Sequence, residues 1–160
     1  MKRALLAAPL LALAGCAATA GPASVAGANP KEVRMAFDVT NGNPVVVTKT
    51  LETIDLTRKQ LIEQGYSPRI VVTFRGDASY YTQESLAAIK EADRAAALQV
   101  KAQMRQLRKA SGVESFEQCN LPLEPRKLNP KDLMSEVKLV PNGWIALANY
   151  QQQGYAYIVP

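Results

Sequence analysis

The chain has 160 residues, 48% of them apolar and 21% charged, with a formal charge of +5. That balance describes an ordinary globular protein rather than a disordered one, and the length allows a single domain with a buried core. There is no histidine, which excludes Ser–His and Cys–His couples and removes the commonest metal ligand. Two cysteines fall short of a structural zinc set, and no metal or other cofactor is expected.

Met1-Lys2-Arg3 is a basic start, followed by a short apolar run over residues 4–14. The run is too short to span a bilayer and reads as a secretion signal. Leu13-Ala14-Gly15-Cys16 resembles the bacterial lipobox, in which the cysteine is diacylated and becomes the new N-terminus. Plain signal-peptidase cleavage nearby is the competing reading. Two acyl chains on Cys16 would suffice for stable anchoring, and Ala rather than Asp at position 17 points to the periplasmic side of the outer membrane. Residues 17–30 are small, uncharged and without period, as in a flexible tether. The folded domain is therefore expected over 31–160.

Loss of Lys2 and Arg3 with the leader lowers the formal charge from +5 to +3. With no basic stripe interleaved with aromatics, nucleic acid is not an expected partner. A lipidated Cys16 would leave Cys119 as an unpaired thiol in an exported protein.

Residues 33–40 alternate and are rich in strand formers, predicting a first strand. Asn43 is placed as an N-cap with Pro44 at N1, opening a helix to about Gln64. Val47, Leu51, Ile54 and Leu61 give it one buried face, and Gly65 suits its C-terminal cap. Residues 68–74 are a continuous apolar run, as in a strand covered on both faces. Arg75-Gly76-Asp77 ends it; the match to an adhesion tripeptide is read as chance. Tyr80 and Tyr81 fall in the following loop as packing residues.

Residues 83–110 are helical in composition, with a bend or a division into two helices near Asp93 left open. Leu86, Ile89, Leu98, Met104 and Leu107 are the expected buried positions. Lys101, Arg105, Arg108 and Lys109 favour the C-terminal end and read as a solvated face. A third strand follows Ser111-Gly112 and ends at Cys119. Three prolines keep the next loop irregular, with one helical turn near Pro130. Residues 137–140 form a fourth strand, and Trp144 to about Gln152 a last helix, with Ile145, Leu147, Ala148 and Tyr150 near the core. Gly154 stops it before a final strand over 155–159.

Alternating strands and helices imply a three-layer α/β fold, a mostly parallel five-stranded sheet with helices on both faces. Ligands in such sheets gather beyond the carboxyl ends of the strands. Asn41, Asp77, Cys119 and Asn120 fall at those ends and are the candidate site residues. No Gly-rich or Walker loop supports a nucleotide site, and Ser79 and Ser115 have no histidine to activate them.

The C-terminal half resembles the DsrE/DsrF-like (YchN-like) family of small α/β proteins. The resemblance rests on Gly112-Val113-Glu114 ahead of Cys119, on Val140-Pro141-Asn142-Gly143, and on Leu147, Gln151 and Gly154-Tyr155-Ala156-Tyr157-Ile158. It implies a parallel-sheet core, homo-oligomers such as trimers or hexamers, and a cysteine that carries sulfur as a persulfide in relay between donor and acceptor proteins. Only Cys119 matches that cysteine. The alternatives are a non-catalytic homo-oligomeric binding or scaffold module on the membrane, with Cys119 a buried, inert residue. Arg126 and Lys127 would favour a thiolate and Glu114 and Glu117 oppose one, according to which lie close.

Overall fold

The computed structural model describes residues 31–160. The expected leader, the lipidation site at Cys16 and the tether lie outside the described residues. Five strands, β1 (Glu32–Val39), β2 (Ser67–Phe74), β3 (Val113–Cys119), β4 (Val137–Val140) and β5 (Ala156–Ile158), form one sheet. Its order is β4-β3-β2-β1-β5, and every pairing is parallel. Helices α1 (Pro44–Glu63) and α2 (Arg94–Arg108) pack on one face and α3 (Gly143–Gln152) on the other. The α/β expectation is met.

The first helix begins as its sequence dictates. The Asn43 side chain accepts from the Val45 amide at 2.9 Å, satisfying a donor that the first turn leaves open. Gly65 follows with φ +82°, a left-handed geometry that side chains resist. Val47, Leu51 and Ile54 are buried, while Leu61 is only half-buried and Arg58 takes the intervening inward position. Its guanidinium is held by Asp55 at 2.8 Å and reaches the Ser111 carbonyl at 3.3 Å. These aliphatics join Ile70, Val72, Phe74 and Phe116 in the main core. Full burial of each such side chain contributes about 1.5–3 kcal/mol.

The second predicted helix is shorter than its composition suggests. Only Arg94–Arg108 is α-helical, preceded by a 3-10 turn at Glu91–Asp93. The preceding segment is spent on tertiary contacts: Gln83 bridges Leu133, and the Glu84 amide donates to the Asp132 carbonyl. The inward stripe of α2 is Ala97, Val100, Lys101, Met104 and Leu107. Leu98 therefore points out, 54% exposed. Lys101 is not on a solvated face; it is buried, and its ammonium donates to the Gln83 and Glu84 carbonyls. Burial pulls its pKa below the usual lysine value, with Glu84 countering from nearby.

In α3, Gly143 and Leu147 are buried and Tyr150 half-buried, whereas Ile145 and Ala148 face outward. Tyr80 and Tyr81 lie in a 3-10 turn, Gly76–Thr82, rather than a loop. Tyr81 packs in the core and its hydroxyl donates to the Gly42 carbonyl. The last strand is confined to Ala156–Ile158. Among the described residues no helix is long and apolar enough to cross a membrane.

Candidate functional site

β3 and β4 end side by side, with Cys119 opposite Val140. From there the chain diverges. The segment after β3 stays on the side of α1 and α2, where Met134 joins the main core, while the segment after β4 enters α3 on the opposite face. Neighbouring strands whose exits run to opposite faces leave a crevice at their carboxyl ends, where open parallel sheets bind ligands. Cys119 sits at that switch point.

Strand alternation turns Phe116 and Gln118 toward α1 and α2, and Glu117 and Cys119 toward α3. The sulfur accepts a hydrogen bond from the Gly143 amide at 3.1 Å. That amide belongs to the first turn of α3, whose N-cap is Asn142, its side chain accepting from the Trp144 amide at 3.0 Å. Gly143 is needed for this approach. A Cβ there would stand 2.6 Å from Arg75 Cδ and 3.0 Å from Cys119 Cβ.

The cation beside Cys119 is thus Arg75, at the end of β2. Its Nε donates to Asp38 Oδ1 at 2.8 Å, and a second bond joins the other pair of atoms. Tyr157 donates to the same carboxylate at 2.7 Å. The guanidinium carbon lies 4.9 Å from the centre of the Trp144 ring, a cation–π geometry. Hydrogen bonding to Asp38 raises the pKa of Arg75, opposed by its partial burial. The same carboxylate raises that of Tyr157 by accepting its hydrogen bond. Cys119 itself is only 3% exposed, shielded at the sheet's rim.

Arg126 and Lys127 do not supply this charge. Arg126 turns to Asp77, with Nε 2.9 Å from its carboxylate. Of the two glutamates, Glu114 is bound by Arg69 and Tyr155, and one oxygen of Glu117 accepts from the Tyr150 hydroxyl at 2.8 Å. Burial, aided by that bond, pushes the Tyr150 phenol well above its ordinary value. Gln118 is fully buried and satisfied, donating to Ser79 Oγ at 2.8 Å and accepting from Thr82 Oγ1 at 2.8 Å.

Beneath α3, Asp38, Thr73, Glu117 and Lys138 stand in register across four strands. Thr73 Oγ1 and Glu117 Oε2 are buried without a hydrogen-bond partner among the described residues. A cavity of about 560 Å³ runs along α3, lined by Glu117, Lys138, Val140, Asn142, Ile145 and Tyr150 among others.

The other predicted residues occupy the same end of the sheet without converging on the sulfur. Asn41 is exposed, and its side chain accepts from the Asn43 amide at 2.8 Å. Asp77 is exposed beside Gly42 and lines a separate cavity of about 360 Å³. Asn120 is exposed, its amide donating to the Val140 carbonyl at 2.9 Å. Arg75, Asp38, Gly143 and Trp144 were not among the candidate site residues, although Gly143 is part of the Val140–Gly143 stretch that carries the family resemblance. Asn142-Gly143 following a strand was the available signal, since an N-cap there puts helix amides at the sheet's carboxyl end.

Fold and site together define a parallel α/β protein with one cysteine at the switch point of its sheet, capped by a helix amide. The chain belongs to the DsrE/DsrF-like family, which matches it over residues 35–160. An uncharacterized protein of Aquifex aeolicus (strain VF5) is 26% identical over 126 residues, covering 79% of this chain and 55% of that relative. The chain thus spans about half the length of the curated relative it matches. The protein of unknown function MTH1491 from Methanobacterium thermoautotrophicum shares the fold, with a TM-score of 0.51 and 21% identity, over 81% of this chain and 98% of that one.

Proposed function

We propose that this DsrE-like protein is an exported sulfur carrier that acts through Cys119. The observation that carries the reading is the Gly143 amide on the sulfur at 3.1 Å. An amide of a helix's first turn donates to the sulfur, and the Arg75 side chain stands beside the same turn. In the step envisaged, the Cys119 thiolate attacks the sulfane sulfur of a donor persulfide, R–S–SH. The donor's S–S bond breaks, a new S–S bond forms at Cys119, and R–S⁻ leaves. The bound sulfur later passes to an acceptor thiolate by the same exchange, with no net oxidation. Export, anchoring through Cys16 to the outer membrane and assembly as a homo-oligomer complete the proposal; the first two rest on the leader, the third on family resemblance.

The test is intact mass and peptide mapping after exposure of the folded protein to polysulfide. Added sulfur should map to Cys119, be removed by a reductant, and be lost in Cys119→Ser. Absence of an adduct when a small alkylating probe does reach Cys119 would overturn the reading. The 3% exposure of Cys119 favours a second reading, a non-catalytic binding or scaffold module. Under it, Cys119→Ser leaves partner capture and cellular phenotype unchanged.

A further inference from the structure

A cavity of about 670 Å³ lies away from the sulfur, between the turn after β2 and the loop that leads to β4. Its walls carry three cations, Arg126, Lys127 and Lys131, against one acid, Asp132. Asp132 is already engaged, its Oδ2 accepting from Ser85 Oγ at 2.8 Å, and Arg126 is shared with Asp77. The ammonium groups of Lys127 and Lys131 have no partner among the described residues. Gln83 lines the same cavity, is 3% exposed, and its Nε2 is buried with no acceptor among the described residues. A buried amide donor beside two free cations is a donor set looking for an acceptor-rich anion. Tyr80 contributes an aromatic wall, and the cavity has room for more than an inorganic ion.

We infer that this cavity binds a small molecule through an oxyanion head group, phosphate or sulfate in type. Gln83 Nε2 donates to the head group, and Lys127 and Lys131 neutralise it from the rim. Nothing in this assignment depends on sulfur transfer at Cys119.

The experiment is a titration of the full chain with inorganic phosphate, and separately with sulfate, at constant ionic strength, followed by amide NMR. Saturable shifts are expected at the Gln83 side-chain amide and at the backbone of Lys127 and Lys131. The pair Lys127→Gly and Lys131→Ala should weaken binding by roughly tenfold or more, the loss of about one charged hydrogen bond. Both lysines are exposed, and glycine suits the left-handed φ of 55° at position 127, so this variant folds. Gln83→Met keeps the shape, drops the donor, and should weaken binding similarly. Shifts that never saturate, or an affinity unchanged in the lysine variant, would overturn the assignment.

Discussion

The two faces of the sheet are built from different chemistry. Under α1 and α2 lies a continuous apolar core that includes Phe74 and Phe116, edge to face at 5.6 Å, with Leu51, Ile54 and Met104. Under α3 the apolar cluster is small: Ala36, Val71, Leu147 and Tyr155. Beside it run Asp38, Thr73 and Glu117, all buried. Each side leaves two buried polar atoms unpaired among the described residues, Thr73 Oγ1 and Glu117 Oε2 under α3, Gln83 Nε2 and Arg94 Nε on the side of α2. Only the α3 face buries carboxylates, at a cost in stability that hydrocarbon would have avoided. The first face holds most of the buried apolar side chains; the second holds the buried carboxylates and Cys119.

The comparison is most strongly tested by Phe116→Ala, which empties a fully buried ring site on the apolar face. It should cost about 3–5 kcal/mol in chemical denaturation, while sulfur uptake at Cys119 in the fraction still folded stays at the wild-type level. Gly143→Ala acts on the other face, forcing a methyl against Arg75 and Cys119. A cost of about 1–3 kcal/mol is expected, together with slower sulfur loading by mass spectrometry. Equal loading in both variants would erase the distinction.

Alkaline titration sharpens it. Burial pushes Tyr81, on the apolar face, up to about 12 from the ordinary 10.0. Tyr155, on the polar face, also reaches about 12, through burial and its bond to Glu114. A raised phenol pKa means that the unfolded chain loses its proton first. The contribution of each is complete below about pH 10 and drains away as the pH climbs through about 12. Denaturation midpoints should fall across that window, less steeply in Tyr81→Phe. The smallest effect belongs to Leu98→Gln: an exposed position outside both clusters should change stability by no more than about 0.5 kcal/mol.

Much of the architecture was legible because it rests on local rules. Asn43-Pro44 opened α1, the apolar run before Phe74 gave a buried strand, and the alternation of elements gave parallel order. What failed was decided at a distance. Residues 83–93 have helical composition, yet Gln83 and Glu84 lie against Leu133 and Asp132, partners that no local window contains. Lys101 read as a surface cation because its two carbonyl acceptors become visible only once that segment is folded back. The same holds for the site. Cys119 could be singled out by type and position, but Arg75 becomes its neighbour only through the β2–β3 register, in which Phe74 faces Gln118.

Only Pro141 and Asn142 separate the end of β4 from the turn of α3 that touches the sulfur. Among the described residues β4 has a neighbour on one side alone, so whatever peels this outermost ribbon away from β3 also drags the amide off Cys119. Amide hydrogen exchange along Val137–Val140 would therefore time the unmasking of the thiol without any probe of sulfur itself, making the sheet's border the latch over Cys119.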